Sequence, residues 1–188
     1  MITKVSLFKM KEVFLDYFKK NDFIKNDRVG FRVFDPQKDC IRVNFKREDW
    51  DMIFVGVDDG LLREWAASYN VDRMVLVAVD MNSGKSFGFV CVQESHNKPL
   101  CVCFHGGVWA CGIKGQLLGY EAADLIVRFL VGKHMDVFVT CYKINRKANR
   151  FLDSLGFVDY CRDERLCYKK IEVASLDSNI MCTRKIKN

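Results

Sequence analysis

The stretch Trp109–Glu121 carries Gly112, Gly115 and Gly119 between an apolar, strand-like segment and an amphipathic, helix-like one. A glycine-rich loop from strand to helix presents several backbone N–H groups at a helix N-terminus. Unpaired amides and the helix dipole favour an anion there. Lys114 adds a point charge suited to a phosphate. The loop matches neither G-x-G-x-x-G nor G-x-x-x-x-G-K-[ST], so dinucleotide and P-loop readings lose support. An ordinary turn is the competing reading. The second stretch is Asn145–Phe157. An Asn placed after a strand can cap the helix that follows. On that helix Arg146, Lys147 and Arg150 either meet a phosphate or form a solvated face. Trp109 either stacks on a ligand or packs the sheet. No Ser/His/Asp arrangement is readable, and three histidines without any C-x-x-C set a metal site aside.

The elements that must hold these residues follow from periodicity. Leu7, Met10, Val13, Phe14, Tyr17 and Phe18 recur at helical spacing in the first twenty residues. Val29, Phe31 and Val33, then Ile41, Val43 and Phe45, alternate around the turn-forming run Asp35–Asp39, which predicts a hairpin. Met52–Val57 reads as a strand and Leu61–Ser68 as a short helix. Met74–Val79 and Phe87–Val92 form a second predicted hairpin around Met81–Lys85. Leu100–Phe104 is a strand that extends towards Trp109, followed by a loop containing Gly106, Gly107, Gly112 and Gly115. A helix is predicted over Gly119–Val131, a strand over Val137–Cys141 and a helix over Asn145–Leu155, stopped by Gly156. Strands at Phe157–Cys161 and Leu166–Val173 complete a mixed α/β sheet with helices packed on it.

Composition bounds the rest. The chain has 188 residues, 49% hydrophobic and 29% charged, which suits one domain with its own core. No run of about 18 uncharged apolar residues occurs, so no membrane span or membrane partner is expected. Lys4, Lys9, Lys11 and Glu12 interrupt the N-terminus, so no signal peptide is expected either. The nine cysteines are an odd count without metal spacing. They read as reduced, small hydrophobes in a cytoplasmic protein. The net charge of +6 is scattered, with small clusters at Lys143–Arg150 and Arg184–Lys187. It permits an anionic ligand and requires no nucleic acid.

The two loop-helix stretches resemble the Gcn5-related N-acetyltransferase (GNAT) superfamily. Its acetyl-coenzyme A loop reads Arg/Gln-x-x-Gly-x-Gly/Ala and opens a helix that continues with Glu-Ala. Here Lys114-Gly115-Gln116-Leu117-Leu118-Gly119-Tyr120-Glu121-Ala122 stands in that place. One helix and one strand later, Asn145, Ala148 and Leu155-Gly156-Phe157 match the family's Asn-x-x-Ala/Ser and Leu-Gly-Phe. The likeness spans Val71–Val173 and is most specific from Gly106 to Phe157. It implies a single-domain acyl-CoA N-acyltransferase fold over residues 1–173: a mixed, strongly twisted sheet flanked by helices and splayed where the cofactor sits. Residues 1–70 match only in outline, 71–173 form the cofactor-binding core, and 174–188 are a polar basic tail.

The resemblance implies acetyl transfer from acetyl-CoA, as cosubstrate and without a metal, directly to a primary amine on a small molecule or a protein. The pyrophosphate would meet the amides of Gly115, Gln116, Leu117, Leu118 and Gly119, with Lys114 beside them. The pantetheine arm would pair with Gly107–Trp109, hence Val108 and Trp109, and bond Asn145. Ala148 and Phe151 would line the thiol end. The acceptor ammonium must lose a proton. His105, with an unperturbed pKa of ~6.5, is the first candidate base, against a backbone-bonded structural histidine. Glu94 is the second, against a solvated strand end. Two departures stand out: the middle loop glycine is Leu117, and the position of the family's thiolate-protonating tyrosine is Leu152. Tyr142, Tyr160 and Cys141 are near in sequence, and water can serve instead. A second reading therefore keeps the fold and drops the catalysis, giving a binding or interaction domain of phage or mobile-element type, which His105–Trp109 resembles. A nucleic-acid module, resting on charge alone, is a third. Many members of the superfamily are homodimers.

Overall fold

The computed structural model describes residues 9–35, 37–39, 73–95, 101–109 and 118–171, with residues 103–109 described in their backbone. The predicted elements at Ile41–Phe45, Met52–Val57 and Leu61–Ser68, the loop residues Lys114, Gly115, Gln116 and Leu117, and the tail from Ala174 lie outside them. Helix α1 runs Lys9–Phe18. Met10 and Phe14, one turn apart, bury one stripe of it completely. Strand β1 is Ile24–Lys25 and β2 is Val29–Val33. Asn26 closes the turn between them, its Oδ1 accepting the N–H groups of Arg28 (2.9 Å) and Val29 (2.8 Å). The turn at Asp35–Asp39 is present as well. Asp39 grips the Arg32 guanidinium with both oxygens at 2.5 Å and accepts the Asp35 N–H at 2.8 Å.

Strand β3, Arg73–Asp80, and β4, Ser86–Glu94, form the second predicted hairpin. Gly84 sits at φ +69°, a left-handed position that the turn requires and glycine takes without strain. Strand β5 is Cys101–Trp109, α2 is Leu118–Gly132, β6 is Asp136–Tyr142 and α3 is Arg146–Ser154. Gly156 follows α3 at φ +93° and ends it, as expected. Strand β7, Val158–Arg162, and β8, Leu166–Ile171, complete the chain of elements.

The strands form one eight-stranded sheet in the order β1-β2-β3-β4-β5-β6-β8-β7. Only β5 and β6 are parallel among the described pairs. The expected partner of Val29–Val33 was Ile41–Phe45; its described partners are β1 on one edge and β3 on the other. Gly106 and Gly107, expected in a loop, belong to β5.

One face of the sheet carries the main core. Met74, Leu76, Val90, Val92, Val137, Val139 and Cys141 meet the helices through Met10, Phe14, Ile126, Leu130 and Leu152. The ring of Phe14 lies 5.4 Å from that of Phe129 on α2, and Tyr17 meets Phe129 edge-on at 4.9 Å. Val77 and Val79 belong to a smaller cluster with Phe34 on the opposite face. No helix among the described residues is long and apolar enough to cross a membrane.

Lys169 breaks the apolar pattern of β8, being 3% exposed between Cys167 and Ile171. Its Nζ donates to Asp153 at the end of α3 and to Asp159 on β7, each at 2.6 Å. Burial alone would lower its pKa; the two carboxylates outweigh burial and hold the ammonium above the ordinary lysine value. Asp159, bonded first to Lys169 and also to Arg162, lies below the usual carboxylate range. The Asp159 contribution to stability is present above the unfolded carboxyl pKa and is lost as pH falls through the lower folded value. The Lys169 contribution is present below the unfolded lysine pKa and is lost as pH rises through the higher folded value. Thermal unfolding followed from about pH 7 down to pH 3 and up to pH 11 should therefore show steeper losses at both ends in the parent protein than in Lys169→Met.

Candidate active site

Strands β5 and β6 touch through three register pairs, Cys101↔Asp136, Val102↔Val137 and Cys103↔Phe138. Beyond Cys103, β5 stays paired with β4 as far as Gly88↔Trp109, and β6 stays paired with β8 as far as Tyr142↔Leu166. Among the described residues no pair joins β5 to β6 past that point, so the sheet opens as a notch. Its two sides are the outer halves of two parallel strands.

Just past the point of parting, β5 carries a bulge. Phe89 pairs with Val108 and Cys91 with His105, so Gly106 and Gly107 together oppose Val90. Two residues against one bend the strand and sharpen its twist, and glycine tolerates that geometry. The edges that face the notch carry backbone N–H and C=O groups that need partners. An extended ligand with its own amide groups supplies them.

Each side of the notch leads into a helix. Past β5, α2 opens with Leu118, which is buried, and Gly119, which is half-buried. The first N–H groups of α2 have no acceptor within the helix. Glu121, in the first turn, is engaged by Arg28 Nη1 at 2.5 Å. Past β6, Asn145 caps α3 as expected, its Oδ1 accepting the Ala148 N–H at 3.0 Å. The Asn145 N–H closes the strand-to-helix turn on Tyr142 O at 3.0 Å. Asn145 Nδ2 has no partner among the described residues and remains a donor. Ala148 and Phe151 are half-buried. Phe151 meets Tyr120 of α2 edge-on at 6.1 Å, and Tyr120 Oη donates to Ser154 O at 3.0 Å, so the two helices are tied together.

His105, Val108 and Trp109 all lie on β5 beside the bulge, opposite Cys91, Phe89 and Gly88 respectively. Glu94 differs from its expected solvated setting. It is 1% exposed, and its two oxygens accept the N–H groups of Lys9 (3.2 Å) and Met10 (2.9 Å). A carboxylate at a helix N-terminus satisfies orphan amides and complements the dipole. The partner helix is more than eighty residues away in sequence, which is why local patterning missed it.

Leu152 is buried in the core, so no acid stands at that position. Of the neighbouring alternatives, Tyr160 is half-exposed on β7 with its ring against Phe138 and Tyr168, at 5.3 and 6.3 Å. Tyr142 ends β6 beside the β7–β8 turn, in a hollow lined by Asp163, Glu164, Arg165 and Leu166. Cys141 alone of the three lies beneath α3. Its thiol donates to Asn149 Oδ1 at 3.1 Å, and burial, with Cys167 adding to it, pushes its pKa up to about 11. Asn149 escaped the sequence reading. A second Asn one turn after a capping Asn shares its side of the helix, and that spacing was the available signal.

Substitutions at two positions separate structure from chemistry here. Asn145→Ala should lower stability by about 1 kcal/mol through loss of the cap, whereas Asn145→Asp should leave it unchanged. Glu94→Gln should lower stability by about 1–3 kcal/mol, since an amide NH2 then faces a buried N–H. Chemical denaturation of the three variants checks both; a stable Glu94→Gln protein would contradict the capping role.

No family model and no curated protein matches the chain. Solved structures do match. A probable GNAT-family acetyltransferase from Chromobacterium violaceum superposes with a TM-score of 0.69 at 13% identity, over 83% of this chain and 88% of that one. A Gcn5-related N-acetyltransferase from Brucella melitensis gives 0.66 at 13% identity, over 84% and 81%. A spermidine N-acetyltransferase from Vibrio cholerae, solved with CoA and spermine, gives 0.62 at 13% identity, over 79% and 98%. The chain thus has the GNAT acyl-CoA N-acyltransferase fold.

Proposed function

We propose that this chain transfers the acetyl group of acetyl-CoA to a primary amine by direct attack, with residues 1–173 acting as one domain in the cytoplasm. The observation that carries the reading is the notch itself: two parallel strands that part after three pairs, each followed by a helix N-terminus. The pantetheine arm, an extended chain with two amides, suits the β5 edge at Val108 and Trp109. Asn145 Nδ2 is the free donor opposite. The amides of Gly115, Gln116, Leu117, Leu118 and Gly119, with Lys114, receive the pyrophosphate. Arg146, Lys147 and Arg150 are exposed on α3 and face the remaining phosphate. Ala148 and Phe151 line the thiol end.

The thioester supplies an activated carbonyl, and the residues supply position and proton traffic. His105, beside the bulge, takes the proton from the acceptor ammonium. The free amine attacks the carbonyl carbon, the cationic nitrogen of the adduct gives up a second proton to solvent, the C–S bond breaks, and the thiolate leaves and is protonated from solvent, which gives the neutral amide and CoA thiol. Glu94, engaged by the start of α1, is not assigned to this step. The acceptor is a small amine; one structural neighbour is a polyamine acetyltransferase, which makes polyamines the first acceptors to screen.

Calorimetric titration with acetyl-CoA and CoA should give micromolar binding, and Gly119→Trp should abolish it. No binding at millimolar ligand would overturn the reading. His105→Ala should lower turnover on an amine panel with CoA affinity unchanged. The buried Leu152 favours a second reading, a CoA-binding domain without transfer. CoA binding with no acetylated product from any amine would select it.

A further inference from the structure

Asn149 makes hydrogen bonds that a surface helix position does not need. Its Nδ2 donates to Tyr142 O and to Asn145 O, both at 2.9 Å, and its Oδ1 accepts from the Cys141 thiol at 3.1 Å. Tyr142 O also accepts the Asn145 N–H, and Asn145 O accepts the Asn149 N–H, both at 3.0 Å. One carboxamide therefore binds the last carbonyl of β6, the carbonyl of the capping residue and a side chain of the strand beneath. Only this orientation of the amide works. The reverse would set the oxygen against two carbonyl oxygens. Aspartate cannot replace it for the same reason.

We infer that Asn149 is the positioning residue of the cofactor notch: it locks the Tyr142–Asn145 turn so that Asn145 presents its free Nδ2 to the ligand. This inference rests on the proposed function. Backbone bonds also hold the turn, Asn145 N–H to Tyr142 O (3.0 Å), Arg146 N–H to Ile144 O (2.9 Å) and Lys143 N–H to Arg165 O (2.9 Å), but none of them engages Asn145 O, which Asn149 alone ties back through its N–H and its Nδ2. The turn carries Lys143 and Ile144, both exposed, Ile144 at 77%. Two further bonds from Asn149 remove the freedom that such a turn would have, and ordering before binding raises affinity. The Cys141 thiol stays protonated at neutral pH, so its donor to Asn149 persists.

The test compares CoA affinity of the parent chain, Asn149→Asp, Cys141→Ala, Cys141→Ser and Ser154→Ala, each with its thermal midpoint. Ser154→Ala removes the Ser154 Oγ–Phe151 O bond of 2.7 Å at the far end of the same helix and reports on helix loosening alone. At about pH 8, Asn149→Asp should bind CoA roughly tenfold more weakly than the parent chain, the size of a lost hydrogen bond. At about pH 5 its deficit relative to the parent should shrink, because a carboxyl facing two carbonyls holds its proton and donates again. Cys141→Ala should lose about two- to threefold and Cys141→Ser should restore it. Ser154→Ala should bind as the parent does, whatever its midpoint. A parent chain that binds CoA together with an Asn149→Asp chain that binds equally at both pH values overturns the positioning role alone. Equal loss in Ser154→Ala does the same. A parent chain that takes no CoA overturns the proposed function and the positioning role with it.

Discussion

Strands β5 and β6 share three register pairs and then each follows its other neighbour, β5 along β4 and β6 along β8. A parallel pair that stays joined would bury its ladder and leave no room between the strands. A pair that parts leaves backbone donors and acceptors on both inner edges. Such groups are costly unless something bonds them. Water does so in a free protein, and a ligand with amides does so with greater order. A few residues beyond the last β5–β6 pair, the glycine bulge opposite Val90 bends and twists the outer half of β5.

The notch is useful only if its two sides keep their places, and polar contacts between distant segments hold them. Glu94, at the end of β4, anchors the start of α1. Arg28, from the β1–β2 turn, reaches Glu121 in the first turn of α2. Asn145 and Asn149 fix the start of α3, while Lys169 ties its end to β7 through Asp153 and Asp159. A shared apolar core gives these helices cohesion but little direction, because hydrophobic contact is not directional. The caps and ion pairs decide where each helix begins.

Much of this was legible in the sequence wherever the signal is local. The apolar stripe of α2 appears in Ala122, Ile126 and Leu130, and the stop of α3 appears in Gly156. The capping role of Asn145 follows from its place after a strand. The failures have a common physical cause, which is that the deciding partner is remote. Gly106 and Gly107 look like loop residues because glycine punctuates chains, yet β4 pairs across them and makes them a bulge. Glu94 looks solvated because charge at a strand end normally is, and α1 is far away in sequence. Lys169 falls on the buried face of β8 with Cys167 and Ile171, and the two carboxylates that satisfy it lie on other elements. The parting of β5 and β6 was expected only from the resemblance, since the strands are mostly apolar on either side of it and Gly106 and Gly107 read as loop.

A leucine at position 152 bears little on the proposed transfer. In the adduct between an amine and a thioester, the group expelled is the better leaving group. A thiol has a pKa of about 8.5 and an alkylammonium about 10.4. Once the nitrogen has lost its proton, the thiolate leaves in preference to the amine even without an acid at hand. In the proposed transfer, removal of the nitrogen's proton is therefore the step that needs a base, and delivery of a proton to sulfur can be left to solvent. On that argument the proposed transfer needs no acid at the buried Leu152, and a base on β5, where His105 stands beside Gly106 and Gly107, would be enough for it.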